Sequence, residues 1–598
     1  MHAKHVMWRP RSIVVFVCLL CIAWIVPGLI GHDPWKPDEA YSFGVVLSLL
    51  EGHNWVVPML GNEPFMEKPP IYYVTAALTA SAFRAFLPLH DAARLASGLY
   101  VALAFLIVGL TGRELFGKGT GWVATLALLG CAGLLMRGHQ LLTDTALLTG
   151  FALAFYGLAV GLRRPHLGGL CLGTGVGLGF MAKGLLAPGC LGILVVLLPL
   201  LSPRWRCWDY ARSVGLAFLV SVPWLLIWPA MLYQQSPRLF SVWLWDNNFG
   251  RFLGWNVLGE VGGPAEILGN LVWYALPAWP FALSATWRSR RELRSRPELL
   301  LPLAGFLLIL TILCVSRQGH DVYILPALIP VSLLAVPRLV SLTPTRARVL
   351  SAGTVALFVG LALALWLCWA ALDLSIPQAL HHRLSRLSPE YEPNAGIAQV
   401  LFACALLAAW AWTVYRFPEG PERPVVMWAS GMTMGWGLFS VLFNPYLDTA
   451  KSYRQMVADL RSQLPAEHQC IGSRGLGEPQ RAMLQYFAGI STYRDERSEW
   501  RSRPCHLLLV QGSRSRMYQP DAPWLKVWEG GRPGDQRELY QLYRLPDQVE
   551  GSKDPEPEQA ASRHLRAFRA PSQLGPRRPA SDAFNASATS GSNTSVVP

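Results

Sequence analysis

The chain reads as a polytopic α-helical membrane protein with a small C-terminal α/β unit, and three features of the sequence lead there. Of its 598 residues, 52% are hydrophobic and only 15% charged, against roughly 25% charged in soluble domains. Apolar runs of about 20 residues recur, each long enough to cross a bilayer as a helix. After residue 450 that pattern stops and short amphipathic segments replace it. The net charge of +14 does not call for nucleic acid, because Lys and Arg collect at the cytoplasmic ends of spans.

Hydropathy predicts about 13 spans, near 12–31, 91–111, 119–136, 143–162, 167–182, 184–201, 213–231, 267–287, 298–316, 322–341, 349–372, 396–415 and 424–443. The first run follows Lys4, Arg9 and Arg11, as in a signal peptide. No small-x-small cleavage site precedes the next loop and many spans follow, so it is read as a retained span. Alternate connections carry the arginines: Arg113 with Lys118, Arg163 with Arg164, Arg204 to Arg212, Arg288 to Arg296, Arg338 to Arg348, and Arg416 with Arg423. That bias puts the N-terminus in the cytoplasm. An odd number of spans then puts the residues after 450 outside, in the periplasm. Only Lys183 separates the two runs at 167–201; if they form one long span, the C-terminal unit moves inside.

Three regions follow: a transmembrane region 1–450 whose first external loop, 32–90, carries interfacial helices; a soluble α/β unit 451–546; and a disordered tail 547–598. In the soluble unit, helices are expected at 453–464 and 480–487, and strands at 470–473, 506–510, 525–527 and 539–543. The tail is rich in Ser, Pro, Ala and Arg, which cannot bury a core, and its two glycosylation-type sites at Asn585 and Asn593 are read as chance matches. Of the eleven cysteines, nine lie in or beside apolar runs, among them Cys18, Cys131, Cys190 and Cys314, where a thiol behaves as a small hydrophobe. Cys470 and Cys505 fall in the soluble unit and are expected to pair in an oxidising compartment. No Cys/His spacing of the metal-binding kind is present, and no phosphate loop or dinucleotide fingerprint either. Gly173, Gly175, Gly177 and Gly179 alternate inside an apolar run, a pattern for close helix packing.

The most informative stretch is the first loop. Asp38 and Glu39 are adjacent carboxylates just past the first span, and Asp38 is placed to cap a helix from Ala40. Ala40, Phe43, Val46, Leu47 and Leu50 recur at helical spacing, as on a helix lying flat in the membrane interface. The loop closes on Glu67-Lys68-Pro69-Pro70, where the prolines hold Lys68 on a stiff segment. Further charges sit at predicted outer ends of spans, against the usual bias: Arg137, Asp144, Lys183, Asp246, Arg251, Arg317, His320 and Asp321. A charge at such a depth tends to have a partner or a task, and these could converge on one outward-facing cavity.

Asp38-Glu39, Tyr41, Gly52-His53-Asn54-Trp55-Val56-Val57-Pro58, Phe65-Met66-Glu67-Lys68-Pro69-Pro70 and Tyr73 follow in order within about 35 residues. The set resembles the first external loop of GT-C glycosyltransferases that use lipid-linked sugars, in the branch holding the bacterial aminoarabinose (lipid A) transferase and the protein-mannosyltransferase-like group. The resemblance implies transfer of a sugar from a polyprenyl phosphate donor to lipid A, another glycolipid or a protein, at the outer face of the inner membrane, with no cofactor. It implies catalytic roles for Asp38, Glu39 and Asp144, the acidic residue of the first loop being the catalytic or acceptor-orienting group. It implies substrate binding by Glu67, Lys68, Tyr73, Arg137, Lys183, Arg251 and Tyr323. Arg251 ends an Arg-Phe loop, Tyr323 opens Tyr-x-Leu-Pro, and Lys183 makes the Lys-Gly step of the group. Where the lipid A enzymes tend to carry an acidic residue and a histidine, this chain has Asn247 and Asn248, and His320-Asp321 replaces a lysine. These departures point away from a bound metal and from aminoarabinose as the sugar.

Two other classes fit parts of the pattern. A transporter or flippase of a polyprenyl-linked glycan also needs outer basic residues and many spans. It is disfavoured by the lack of an internal repeat and by the carboxylates gathered in one loop. A lipid-binding scaffold without activity would have no need of both Asp38 and Lys68.

Overall fold

The computed structural model of the chain describes residues 10–256, 263–317, 320–393, 396–465, 470–496, 505–513, 515–535 and 537–546. The described residues up to Leu545 belong to one compact unit. The tail expected at 547–598, with Asn585 and Asn593, lies outside the described residues.

Among the described residues eight helical stretches are long and apolar enough to cross a membrane: Leu89–Phe116, Thr143–Gly161, Trp208–Gln235, Pro297–Val315, Asp321–Leu339, Pro344–Asp373, Ile397–Arg416 and Arg423–Gln463, the last divided into the helices Arg423–Lys451 and Arg454–Gln463. Shorter apolar helices occupy Ser12–Ile25, Ile71–Phe83 and Leu186–Leu201. Two expected spans are broken. The run at 119–136 forms Gly121–Leu129 and Ala132–Arg137, and the run at 267–287 forms Pro264–Tyr274 and Ala278–Arg288. The breaks face each other: the Ala132 amide donates to the Leu276 carbonyl at 3.1 Å. Pro280, four residues on, has no amide to donate back, so the Leu276 carbonyl is satisfied across the gap instead.

The glycines of Pro165–Lys183 do pack helices closely. A Cβ on Gly175 would stand 2.6 Å from the Gly150 carbonyl, and one on Gly173 2.5 Å from the Ala217 carbonyl. The helix is thus clasped between Thr143–Gly161 and Trp208–Gln235. It ends at Gly184, whose φ of +69° suits a residue without a Cβ. The next helix, Leu186–Leu201, runs the opposite way. Gly168 opposes Ser213 near the start of Trp208–Gln235, while Val195, late in Leu186–Leu201, accepts from Tyr210 at that same start at 2.7 Å. The 167–201 stretch is therefore two antiparallel helices.

In the loop, β1 (Met59–Leu60) and β2 (Glu63–Pro64) form a small hairpin. The C-terminal unit is a five-stranded sheet of β3 (Ile471–Arg474), β4 (Thr492–Arg494), β5 (Leu507–Gly512), β6 (Leu525–Gly530) and β7 (Leu539–Arg544) in the order β4-β3-β5-β7-β6. β4, β3 and β5 are parallel; β7 and β6 add antiparallel. Helices Arg454–Gln463 and Glu478–Ala488 match the expected pair. β4 was not foreseen: three residues, Thr-Tyr-Arg, are too short to show alternation. Cys470 and Cys505 are joined by a disulfide, as expected.

The helix Asp38–Leu50 is not interfacial. Glu39 through Ser48 are all buried, because Glu478–Ala488 covers the face assigned to the membrane. Gly44 makes this possible, since a Cβ there would lie 2.5 Å from the Ala482 Cβ. Ion pairs fasten the same interface: Arg481 to Glu63 at 3.2 Å, Arg454 to Asp33 at 2.5 Å, and Lys36 to Glu538 at 3.0 Å. The first loop and the C-terminal unit thus lie on one side of the bundle and in contact.

Candidate active site

Under this roof, helix ends bring together the charges of the first loop and of four later segments. Asp38 is the first residue of its helix, with Pro37 at the N-cap and no side-chain cap. The expected capping role is therefore not filled by Asp38. Its carboxylate instead accepts from the Tyr41 hydroxyl at 2.8 Å, three residues on and on the same helical face. Lys68 Nζ donates to the Tyr41 oxygen at 2.6 Å. Burial, then the Asp38 carboxylate, holds the Tyr41 phenol well above its usual pKa, so it keeps the proton it gives to Asp38. Tyr41 is thus a neutral spacer between a lysine and a carboxylate.

The other basic groups are matched with acids. Arg251 Nη2 meets Glu67 Oε1 at 3.0 Å, while its buried Nε has no hydrogen-bond partner among the described residues. Lys183 pairs with Asp144, and its ammonium lies 3.7 Å from the centre of the Tyr323 ring. Arg137 binds Asp321 at 2.7 Å, and the Tyr274 hydroxyl donates to the same carboxylate at 2.5 Å. Among the described residues, Lys68 is in no ion pair with a carboxylate.

These groups edge a cavity of about 470 Å³. Its polar lining includes Glu67, Lys68, Lys183, Arg251 and Tyr323, and most of the remainder is apolar, with side chains such as Leu186, Ile193, Ile312 and Leu313. Five of the expected residues therefore line one cavity. Asp38 stands behind Lys68 through Tyr41, Asp144 behind Lys183, and Arg137 beside Asp321.

Two of the expected site residues stand away from the cavity. Glu39 does not reach the cavity: it is 2% exposed and its Oε1 accepts from Arg94 Nε at 2.9 Å and from the Leu141 amide at 3.0 Å. Adjacent helical residues diverge by about 100°, so Glu39 turns into the core while Asp38 faces the site. Tyr73 is fully buried against Phe65 and Tyr72, away from the cavity wall. Asn247 and Asn248 line the cavity but spend their side chains on backbone. Asn248 accepts from the Leu185 amide at 3.0 Å and donates to the Trp243 carbonyl at 2.7 Å. This ties the π-helical turn Val242–Gly250, which carries Arg251, to the turn that carries Lys183. Among the described residues no group of three His, Cys, Asp or Glu side chains is arranged to hold a metal ion.

Sequence reasoning missed Glu478. It opens the helix Glu478–Ala488 and interacts electrostatically with Glu67, Arg481, Lys68 and Arg251. Burial, then the Glu67 carboxylate, pushes its carboxyl up to about 7 from 4.5. The protonated acid is the form this environment favours. Its contribution to stability is complete below about pH 4.5 and is lost as pH rises through about 7. Stability of the wild type should therefore decline from about pH 5 to pH 8, and Glu478→Gln should flatten that slope. Thermal unfolding in detergent across this range measures it; equal slopes in the two proteins would refute the assignment.

Residues 67–228 match the family described as dolichyl-phosphate-mannose-protein mannosyltransferase. The chain is 30% identical over 441 residues to the undecaprenyl phosphate-alpha-4-amino-4-deoxy-L-arabinose arabinosyl transferase of Pseudomonas aeruginosa (strain UCBPP-PA14), covering 70% of this chain and 73% of that one. It is 27% identical over 448 residues to the enzyme of the same description from Pseudomonas savastanoi pv. phaseolicola, covering 74% and 78%. The crystal structure of ArnT from Cupriavidus metallidurans bound to undecaprenyl phosphate superposes with a TM-score of 0.66 at 17% identity, covering 90% of this chain and 99% of that one, a likeness of fold.

The protein is a GT-C glycosyltransferase, a multi-pass enzyme of the inner membrane that uses a polyprenyl-phosphate sugar donor. The chain belongs to the family of the undecaprenyl phosphate-aminoarabinose arabinosyl transferases.

Proposed function

We propose that the enzyme transfers one sugar from an undecaprenyl phosphate donor to an anionic glycolipid of the lipid A class on the periplasmic side. The observation that carries this reading is a lysine that, among the described residues, has no carboxylate partner, in the wall of a cavity whose lining is otherwise mostly apolar. The apolar lining takes the first isoprene units and the polar side chains take the phosphate. As the C1–O bond breaks, negative charge grows on the leaving phosphate. Lys68 and the free Nε of Arg251 meet that charge in a site of low dielectric, where such contacts favour the transition state over the ground state. Tyr323 flanks the phosphate and keeps Lys183 over its ring. Asp38 orients the acceptor, or takes its proton where the acceptor is a hydroxyl. Displacement is in line, with inversion at C1. Asp144 holds Lys183 in place, and Arg137 with Asp321 forms the acceptor-side rim. The N-terminus is cytoplasmic, and the first loop and the sheet of the C-terminal unit are periplasmic.

The test is purified wild-type protein in detergent with a radiolabelled undecaprenyl phosphate sugar and lipid A. Release of undecaprenyl phosphate with label on lipid A, lost on Lys68→Ala and on Asp38→Asn, is the expected result. Movement of intact donor across a liposome without cleavage would replace this reading with the transporter.

A further inference from the structure

At the opposite end of the bundle from the cavity lies a second cluster of charge. The helix that begins beside Tyr323 runs through Leu325–Leu339, about 22 Å at 1.5 Å per residue, and presents Arg338 at its far end. Arg338 is only 9% exposed, yet among the described residues its guanidinium has neither a hydrogen bond nor an ion pair. The charged groups acting on it are Arg288 and Arg346, both exposed and also without a carboxylate partner among the described residues. Three cations gathered with no carboxylate partner among the described residues repel one another.

Two apolar cavities open within a turn of this cluster. One, of about 270 Å³, runs along Ala278–Arg288 from Trp279 to Thr286 and is walled by Phe306 and Leu334. Leu334 is one turn from Arg338. The other, of about 120 Å³, lies beyond Phe281 and is walled by Leu339 and Leu350. Leu350 is one turn from Arg346. Both cavities are almost wholly apolar and sit among membrane-spanning helices, so acyl chains rather than water suit them.

We infer that this end of the bundle binds one anionic diacyl phospholipid, its headgroup phosphate on Arg288, Arg338 and Arg346 and its two chains in the flanking cavities. Charge complementarity selects the headgroup, since basic pockets between helices at a membrane face take anionic lipids. The pair of cavities selects a diacyl lipid over a single-chain amphiphile. The site is remote from the sugar-transfer cavity and does not depend on the reaction proposed for it.

The full-length protein, purified in dodecylmaltoside and delipidated, is titrated with palmitoyl-oleoyl phosphatidylglycerol or with phosphatidylcholine of the same chains. Native mass spectrometry counts bound lipid. Phosphatidylglycerol should form a one-to-one adduct at concentrations where phosphatidylcholine does not. The double variant Arg288→Gln/Arg346→Gln should weaken that adduct by about 5-fold for each arginine removed. Thr286→Phe, which fills the larger cavity and leaves every arginine in place, should weaken it as well. Neither variant touches a buried charge, so both should fold. Equal binding of the two lipids, or an adduct unchanged in the arginine double variant, overturns the headgroup assignment. An adduct unchanged in Thr286→Phe overturns the chain site.

Discussion

Lys68→Ala should lower turnover by about 2.7–4 kcal/mol, the loss typical of removing one donor to a developing oxyanion, and should raise the KM for donor by much less. The split follows from the partner of Lys68. Its hydrogen bond goes to the neutral Tyr41 oxygen at 2.6 Å, so its charge is uncompensated in the free enzyme and available as phosphate charge grows. Arg251→Ala should differ in kind. It removes a donor and also strands Glu67, now 3.0 Å from the guanidinium, as an unpaired carboxylate beside the phosphate. Donor binding should therefore suffer more in Arg251→Ala than in Lys68→Ala, and adding Glu67→Gln should recover part of it. Steady-state kinetics on the four proteins, with thermal unfolding as the check on folding, decides the matter. A Lys68→Ala enzyme with wild-type kcat would remove Lys68 from the phosphate site.

What could be read from the sequence divides by distance along the chain. The membrane class, the first-loop motif and the pairing of Cys470 with Cys505 each rest on local composition or on a compact set of residues, and each is found. Lys68, Arg251, Lys183 and Tyr323 stood out in the sequence because each is a charged or hydroxyl group in the first loop or near a predicted span end, where a polar residue needs a reason. The helix Asp38–Leu50 was misread because its apolar face has two possible partners, lipid or protein. The actual one, Glu478–Ala488, begins more than 400 residues later and leaves no trace in the loop. Glu478 was invisible for the same reason, since nothing in Gly477-Glu478-Pro479 says more than a helix start. Glu39 shows the limit within a motif. Adjacent carboxylates look equivalent in a string, but the helix turns one toward Tyr41 and Lys68 and the other to Arg94. The breaks at 130–131 and 275–277 were hidden because a discontinuous helix has the same hydropathy as a continuous one.

Asp38→Asn should keep donor affinity and lose transfer by about 10²–10⁴-fold, the range for removing a positioned acid–base group. The substitution conserves shape. An amide oxygen still accepts from the Tyr41 hydroxyl at the observed 2.8 Å, so Tyr41 stays oriented and Lys68 keeps its place at the phosphate. What disappears is the negative charge that steers the acceptor and, for a hydroxyl acceptor, receives its proton. Tyr41→Phe supplies the complementary result. Without the phenol, the Lys68 ammonium can drop onto Asp38 in a direct ion pair. The cation needed by the donor and the anion needed by the acceptor then neutralise each other, so kcat should fall and donor KM should rise by the smaller amount expected for losing Lys68. Asp38→Asn on that background should restore donor KM, because it removes the carboxylate that captured Lys68, while kcat stays low. A spacer role for Tyr41 requires this non-additive pattern, measured as donor KM and kcat in the four-protein cycle. Additive losses would mean that Tyr41 only fills space, and a loss of donor affinity in Asp38→Asn alone would place Asp38 on the donor side of the reaction.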